Sequence, residues 1–189
     1  KMRYLYSLLL IGFLSFISCG DGDIKVSNFD FENNNLETCT NGEKRVFFKR
    51  NTSSPESIAL SIPNLEEAFL ETQTIEFQLN SNDRLTYRLH DDIVPSNYFC
   101  QPIPSIEPVT KQEYVSETGK AILNIEVINS NIEEGKDLDS YPYTLTTHVS
   151  LVLKDISLSN GNETIIRETY ALGTIPNFMH RTINGPSQE

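Results

Sequence analysis

Tryptophan is absent from this sequence, and histidine and cysteine are scarce, with three of each among 189 residues. Haem, iron–sulfur and multi-metal sites draw on several such side chains, so the chain has little material for them. The three histidines are scattered, and none belongs to a His-x-x-x-His or Glu-x-x-His motif. No Gly-x-Ser-x-Gly elbow, phosphate-binding loop or dinucleotide fingerprint occurs either. We therefore predict no cofactor and no bound metal.

The chain also has fewer positively charged than negatively charged residues. The chain has 15 Lys and Arg against 26 Asp and Glu, which gives a formal net charge of -11 and a pI near 4.7. Binding to a phosphate backbone requires a cationic face, so we exclude nucleic acid as a partner. The length favours a single domain, with room for a tail, over a large multidomain enzyme.

The first 18 residues differ in kind from the rest. Lys1 and Arg3 precede a nearly unbroken apolar run at residues 4–17, and Asp21 and Asp23 end the apolar character soon after it. A membrane-spanning helix needs about 18–20 apolar residues, whereas the apolar core of a signal peptide has about 7–15. The run therefore predicts a cleaved export signal rather than a membrane helix.

The residues Phe16-Ile17-Ser18-Cys19 resemble the lipobox of bacterial lipoprotein signal peptides, in which a small residue precedes the modified cysteine. Phe16 departs from the leucine that is usual at its position. The resemblance implies cleavage between Ser18 and Cys19 and acylation of Cys19, and the attached chains would contribute about 0.8 kcal/mol per buried CH₂ to membrane binding. The alternative is an ordinary secretory signal in which Cys19 is incidental.

The rest of the chain resembles the small lipoproteins of Bacteroidota, through the acidic residues after Cys19 and an Asn-rich, strand-rich domain. This likeness implies a lipid-anchored protein of the cell envelope, expected at the outer membrane, and it implies no activity. Without the signal, 171 residues carry a net charge of -13. Because anionic lipid repels such a surface, we expect attachment to the membrane to depend on the lipid at Cys19.

These observations divide the chain into four segments. We predict a signal peptide at residues 1–18, a lipidated N-terminus with a short acidic tether at 19–23, a folded domain at 24–183 and a frayed tail at 184–189.

Cys39 and Cys100 are the two cysteines that the lipid would leave unmodified. In an exported protein an even remainder predicts a disulfide bond, and two separate buried thiols are the alternative. The bond would close a loop of about 60 residues and stabilise the domain by about 4 kcal/mol.

Apolar and polar residues alternate over several short stretches of the mature chain, which is the pattern of half-buried strands. A first strand is expected around Ile24 and Val26, and residues 63–70 form the single candidate helix. Four prolines at residues 95–110 exclude a regular central strand there. We predict an all-β chain that forms one antiparallel β-sandwich of eight or nine strands, with a small β-barrel as the alternative. The candidate strands are the short aromatic stretch 45–49, the alternating stretches 57–62, 74–79, 85–89, 121–128 and 145–158, and the partner strand 165–172.

Two pairs of stretches are typical of hairpins. Residues 74–79 and 85–89 flank a polar four-residue loop, so we predict that they pair with each other. Residues 145–158 and 165–172 flank an Asn-Gly step at Asn160 and Gly161, which favours a tight turn.

His90, Asp91 and Asp92 are the best candidates for catalysis, because a histidine beside carboxylates suits acid–base chemistry or metal binding. Their place after a strand favours an ordinary polar turn instead. Two Asp-x-Asp pairs resemble pieces of calcium loops but lack the remaining ligands, so they predict no metal site. These pairs are Asp21 with Asp23 and Asp137 with Asp139.

Aromatic side chains are the remaining candidates, because exposed rings can stack on sugars. Tyr141 and Tyr143, and the neighbouring Tyr98 and Phe99, are weak candidates for a glycan site, and packing in the core is the simpler interpretation.

The sequence leaves three functional hypotheses. The first is a non-enzymatic envelope lipoprotein that contacts a protein partner or has a structural role. The second is a carbohydrate-binding module that uses the aromatic pairs, and the third is a hydrolase centred on His90, Asp91 and Asp92.

Overall fold

The computed structural model describes residues 23–25, 31, 33–80, 82–101, 103, 105–130 and 143–183. The predicted signal peptide, Cys19, both calcium-like pairs apart from Asp23, Tyr141 and the predicted tail lie outside these residues.

Strands dominate the described chain, and no α-helix occurs in it. Two 3₁₀ helices, Glu66–Leu70 and Tyr98–Cys100, interrupt the strands. The strands are β1 (Asp23–Lys25), β2 (Glu37–Asn41), β3 (Lys44–Arg50), β4 (Glu56–Pro63), β5 (Gln73–Gln78), β6 (Arg84–His90), β7 (Thr110–Ser130), β8 (Tyr143–Ser159) and β9 (Glu163–Ile183).

All nine strands belong to one sheet in the order β1-β9-β8-β7-β6-β4-β3-β2, and β5 also pairs with β7. Strands β2 to β9 are antiparallel and curl into a half-barrel, while β1 is parallel to β9. Because the sheet curls, β3 and β9 lie close together: the guanidinium carbon of Arg45 on β3 is 5.3 Å from the centre of the Phe178 ring on β9. The all-β prediction is confirmed, with one curled sheet enclosing the core.

The main core occupies the concave face of this sheet. Alternate residues of strands such as β4 and β8 point into it, as the period of two requires. Burying one Leu, Ile or Phe side chain stabilises a fold by about 1.5–3 kcal/mol. Fully buried members include Phe47, Ile58, Leu60, Leu85, Leu123 and Leu151.

The prediction that β5 pairs with β6 is wrong. Both strands pair with β7, β5 with residues 120–125 and β6 with residues 110–115, so they lie end to end and run in the same direction. The side-chain oxygen of Asn80 accepts hydrogen bonds from the N–H groups of Asn82 and Asp83. This polar loop closes locally without reversing the chain, and the 21 residues of β7 leave room for both strands.

The second predicted hairpin is confirmed. Strands β8 and β9 pair from Ser159 opposite Thr164 to Tyr143 opposite Ile183. Gly161 takes a positive φ of 88° in the turn between them, a conformation that suits glycine.

The candidate helix at residues 63–70 forms only as the first 3₁₀ helix. Phe69 is fully buried there, with its ring centre 5.1 Å from that of Phe178. Residues 95–109 contain no strand among those described, as the prolines predict.

Candidate functional site

A long connection between β6 and β7 crosses the convex face of the sheet, and we call residues 91–109 the strap. Its central residue Cys100 forms the predicted disulfide with Cys39 of β2, with the two Cα atoms 5.7 Å apart. The bond therefore ties the strap to an outer strand of the sheet.

The strap covers a second, smaller core. Val46 and Phe48 of β3 and Ala59 of β4 point away from the main core, and Val94 and Phe99 of the strap pack on them. The ring centres of Phe48 and Phe99 are 4.9 Å apart. The apolar run at residues 46–48 is thus explained by burial on both faces of β3.

Hydrogen bonds hold the strap at three further points. The Asn41 amide donates to the carbonyl oxygens of Phe99 and Gln101, at 3.1 and 3.0 Å. The Arg50 guanidinium donates to the carbonyl of Val94 at 3.3 Å. With the disulfide, these contacts give the strap a defined position on the sheet.

His90 is buried at the base of the strap and is only 5% exposed. Its Nε2 atom lies 2.8 Å from Oγ of Ser57, and its Nδ1 atom lies 3.5 Å from Oγ1 of Thr110. Burial lowers the pKa of His90, and the positive charge of Arg88 lowers it further. These two effects outweigh the hydrogen bond to the Pro108 carbonyl and the charge of Asp91, which both raise the pKa. The imidazole is therefore neutral at pH 7.

Asp91 and Asp92 are exposed to solvent, although the charge of Asp91 still acts on the His90 ring. Asp91 accepts the N–H of Val109 at 2.8 Å, and Asp92 accepts the N–H of Ile93 at 2.7 Å. Within the described chain, no carboxylate is hydrogen-bonded to the His90 ring. The structure thus keeps the three predicted residues adjacent without joining them in one catalytic arrangement.

Sequence reasoning missed the contact between Ser57 and His90, which has the geometry of a nucleophile and its base. The two residues are 33 positions apart, and only the pairing of β4 with β6 brings them together. Ser57 is 1% exposed, so the contact gives a substrate no access to its hydroxyl. We interpret it as a buried polar contact that supports the base of the strap.

Of the two predicted aromatic pairs, Tyr98 and Phe99 do not form an exposed platform. Phe99 is buried, and Tyr98 is partly buried with its ring centre 5.0 Å from that of Phe99 and 5.4 Å from that of His90. Tyr141 lies outside the described residues, and only the backbone of Tyr143 is described.

A small cavity of about 220 Å³ lies where the strap meets the sheet. Arg88, which contributes to its wall, is engaged by Glu113 at 2.8 Å. The cavity combines polar and aromatic side chains, namely Asn41, Ser61, Arg88, Tyr98, Phe99, Gln101 and Ser105 with Val46.

A larger groove of about 580 Å³ opens where the two ends of the strap meet. Carboxylates and apolar side chains share its lining, which consists of Asp91, Asp92, Ile93, Pro95, Glu107, Pro108 and Val109. We call it the strap groove.

Exposed apolar side chains concentrate in the strap. Of the six large apolar residues that are exposed in the described chain, four lie there. Their exposed fractions are 40% for Ile93, 80% for Ile103, 87% for Ile106 and 46% for Val109. The sequence carries a signal for them, since residues 102–109 are rich in proline and aliphatic residues, but exposure depends on what covers the segment.

Neither a spanning helix nor a metal centre is found in the part of the chain that the structure describes. No helix there has the length and apolarity needed to cross a membrane. No group of three or more His, Cys, Asp and Glu side chains is placed there to hold a metal ion.

No protein-family model matches the chain. No curated protein is significantly similar to it, and no solved structure matches it significantly.

Proposed function

We propose that the chain is a lipid-anchored protein of the bacterial cell envelope, and that its β domain is a non-catalytic module that binds a protein partner through the strap. The observation that carries the proposal is the concentration of Ile93, Ile103, Ile106 and Val109 at the surface of one segment. Single exposed apolar residues are ordinary on a protein surface, whereas a cluster of them marks an interaction site.

The anchoring of the strap supports this proposal. A loose loop would lose conformational freedom when a partner binds, which weakens binding. Here the Cys39–Cys100 disulfide and the hydrogen bonds from Asn41 and Arg50 hold the strap before any partner arrives.

The position of β1 supports the anchoring to a membrane. Asp23 pairs with Glu163, beside the turn between β8 and β9. Cys19 precedes Asp23 by four residues, so their Cα atoms can be separated by at most about 14 Å. A lipid at Cys19 would therefore hold this end of the sheet close to the membrane surface. Mass spectrometry of the mature N-terminus tests this part, and an unmodified Cys19 or cleavage elsewhere would contradict it.

Site-specific photocrosslinking in the native host tests the proposed contact surface. A photoreactive phenylalanine derivative replaces Ile103 or Ile106, and a matched control replaces Ile166, which is 48% exposed on β9. We expect a discrete crosslinked product from both strap positions and none from the control. Equal crosslinking at all three positions, or none at any, would reject the strap as the contact surface.

A carbohydrate-binding module is the second candidate, because the 220 Å³ cavity combines Tyr98 with the polar groups of Asn41 and Arg88. A glycan array probed with the wild type and with Tyr98→Ala tests it. Binding that the substitution abolishes would favour this candidate, and an array without hits would count against it. We do not propose a hydrolase, since Ser57 and His90 are buried.

A further inference from the structure

The strap groove has an unusual combination of chemistry. Ile93 and Val109 leave apolar surface exposed, while Asp91, Asp92 and Glu107 place three carboxylates around them. Lys111 is a cationic group beside this set, and its Nζ atom lies 3.6 Å from Oδ2 of Asp91. Three negative charges against one positive charge leave the groove acidic.

We infer that the strap groove binds an extended protein segment in which an aliphatic side chain is flanked by Lys or Arg residues. The inference rests on the proposed function, since it names the chemistry of the partner that the strap contacts. The aliphatic side chain would cover Ile93 and Val109, and the flanking cations would meet the carboxylates of Asp92 and Glu107.

The carboxylates are available for such a contact. Asp92 and Glu107 form no ion pair among the described residues, and Asp92 uses only Oδ1 in its hydrogen bond to the N–H of Ile93. Pro95 and Pro108 have no N–H group, so they add no hydrogen-bond donor to the lining. The groove is therefore rich in acceptors, which suits the donors of Lys and Arg.

The shape of the groove also favours a protein segment. Its volume of about 580 Å³ falls within the range of about 300–1,000 Å³ that is typical of ligand sites. None of the described residues that line it is aromatic, so they offer no ring on which a sugar could stack. Its acidity opposes nucleic acid and anionic lipid headgroups.

The two ends of the strap are joined directly at the groove. The N–H of Asp91 donates to the carbonyl of Val109 at 3.0 Å, and the N–H of Val109 donates to Oδ1 of Asp91 at 2.8 Å. These bonds place Ile93 and Val109 before a partner binds, which reduces the entropy lost on binding.

Selection from an unbiased peptide library tests the inference. The chain is expressed from its full-length precursor, purified in detergent as the host processes it, and used to select peptides from a random library displayed on phage. The affinities of the selected peptides are then measured by fluorescence anisotropy. We expect selected sequences in which Lys or Arg flanks Leu, Ile or Val, with affinity that falls several-fold between 50 and 300 mM salt because salt screens exposed charges.

Neutralisation of the groove provides the decisive comparison. The triple variant D91N/D92N/E107Q should lose at least tenfold in affinity for the selected peptides. The matched control E117Q/E126Q/E168Q removes three exposed carboxylates elsewhere and should bind within about twofold of the wild type. Should the first triple variant fail to melt cooperatively, E107Q alone replaces it, with an expected loss of about threefold.

The inference would be overturned by selected peptides without basic residues, by equal affinity of the two triple variants, or by loss of binding only in the control. Preferential binding of the wild type over D91N/D92N/E107Q to phosphatidylcholine or phosphatidylglycerol vesicles would assign the groove to lipid and would also overturn it. Photocrosslinking from positions 103 and 106 does not depend on the groove carboxylates. A positive crosslink together with a negative peptide result would therefore reject this inference while leaving the proposed function in place.

Discussion

The two faces of the sheet are buried in different ways. On the concave face, 22 buried residues of the described chain form one core: Phe31 and Leu36 precede β2, and the others come from β3 to β9 and their connections. On the convex face, five buried residues form a patch that exists only because the strap lies over it. The first core is made mainly by strands of the sheet, whereas the second lies under a strap that a covalent bond ties to β2.

This difference suggests that the stability of the fold and the proposed binding of a partner depend on different faces of the sheet. The concave core extends over most of the strands, so we expect it to supply most of the stability of the fold. The patch under the strap is much smaller, and the disulfide and polar contacts add to it in holding the strap. A surface that is held in this way keeps its apolar side chains exposed without collapsing onto the core.

Removing a side chain from the centre of the concave core should have the largest effect. Leu123 is fully buried on β7, which pairs with β5, β6 and β8. Leu123→Ala should lower the free energy of unfolding by about 2–5 kcal/mol, since the cavity adds to the lost burial. Urea denaturation followed by circular dichroism measures it. A loss below 1 kcal/mol, with the strap still resistant to protease, would show that this core is less important than its extent suggests.

Removing the disulfide should have the next largest effect and should act on the convex face. The variant C39S/C100S should lose about 2–4 kcal/mol of stability. Its strap should also become sensitive to protease, since the remaining contacts are few. Limited proteolysis with mass spectrometry locates the cuts, and the wild type treated with a reductant is the control. Cuts spread over the strands β7 to β9, rather than in residues 91–109, would contradict the separation of the two faces.

The sequence was sufficient for features that depend on local pattern. Alternation at Ile58, Leu60 and Ile62 predicts a strand because a period of two is a property of the strand itself. Asn160 and Gly161 predict the turn between β8 and β9 because few residues tolerate its backbone angles. The pairing of Cys39 with Cys100 follows from their being the two cysteines left beside Cys19.

Features that depend on distant parts of the chain were out of reach. The alternation of β5 and β6 shows that each has a buried face, but it carries no information on which strand lies beside it. The contact of His90 with Ser57 arises from the pairing of β4 with β6. Ile103 and Ile106 are exposed because nothing in the described chain covers them, which no local pattern reveals.

A third variant weakens the packing under the strap and leaves the disulfide intact. Phe99→Ala removes the ring that packs on Phe48 and should reduce stability by about 1.5–3 kcal/mol. Hydrogen exchange should rise in the strap and in β2, while the exchange of β7 and β8 changes little, because the concave core is untouched. Ile166→Ala, on the exposed outer side of β9, is the matched control and should change neither. Faster exchange throughout the sheet would show that the two faces unfold as one unit.

The smallest expected effect is a pH dependence that originates under the strap. The pKa of His90 is lowered in the folded state, chiefly by burial, so the unfolded chain takes up a proton at a higher pH than the folded chain does. The stability associated with neutral His90 is therefore present above pH 6.5, the ordinary pKa of histidine, and is lost as the pH falls from there towards the folded-state pKa. The groups that face the ring from the packed elements are Ser57, Arg88, Asp91, Tyr98, Pro108 and Thr110.

His90→Gln isolates this contribution, because glutamine can still bond to the Ser57 hydroxyl but does not titrate. The free energy of unfolding should fall more between pH 7.5 and pH 5.5 in the wild type than in His90→Gln. The difference between these two falls cancels the titration of every other group. His148→Gln, on β8, is the matched control for replacing a histidine by glutamine. Protease sensitivity of the strap should rise at pH 5.5 in the wild type alone, since protonation places a charge in the buried site at its base. An equal fall in the free energy of unfolding of the wild type and of His90→Gln would contradict this prediction. It would mean that neighbouring groups stabilise the charged imidazole as much as burial destabilises it, so that His90 is better hydrated than its 5% exposure indicates.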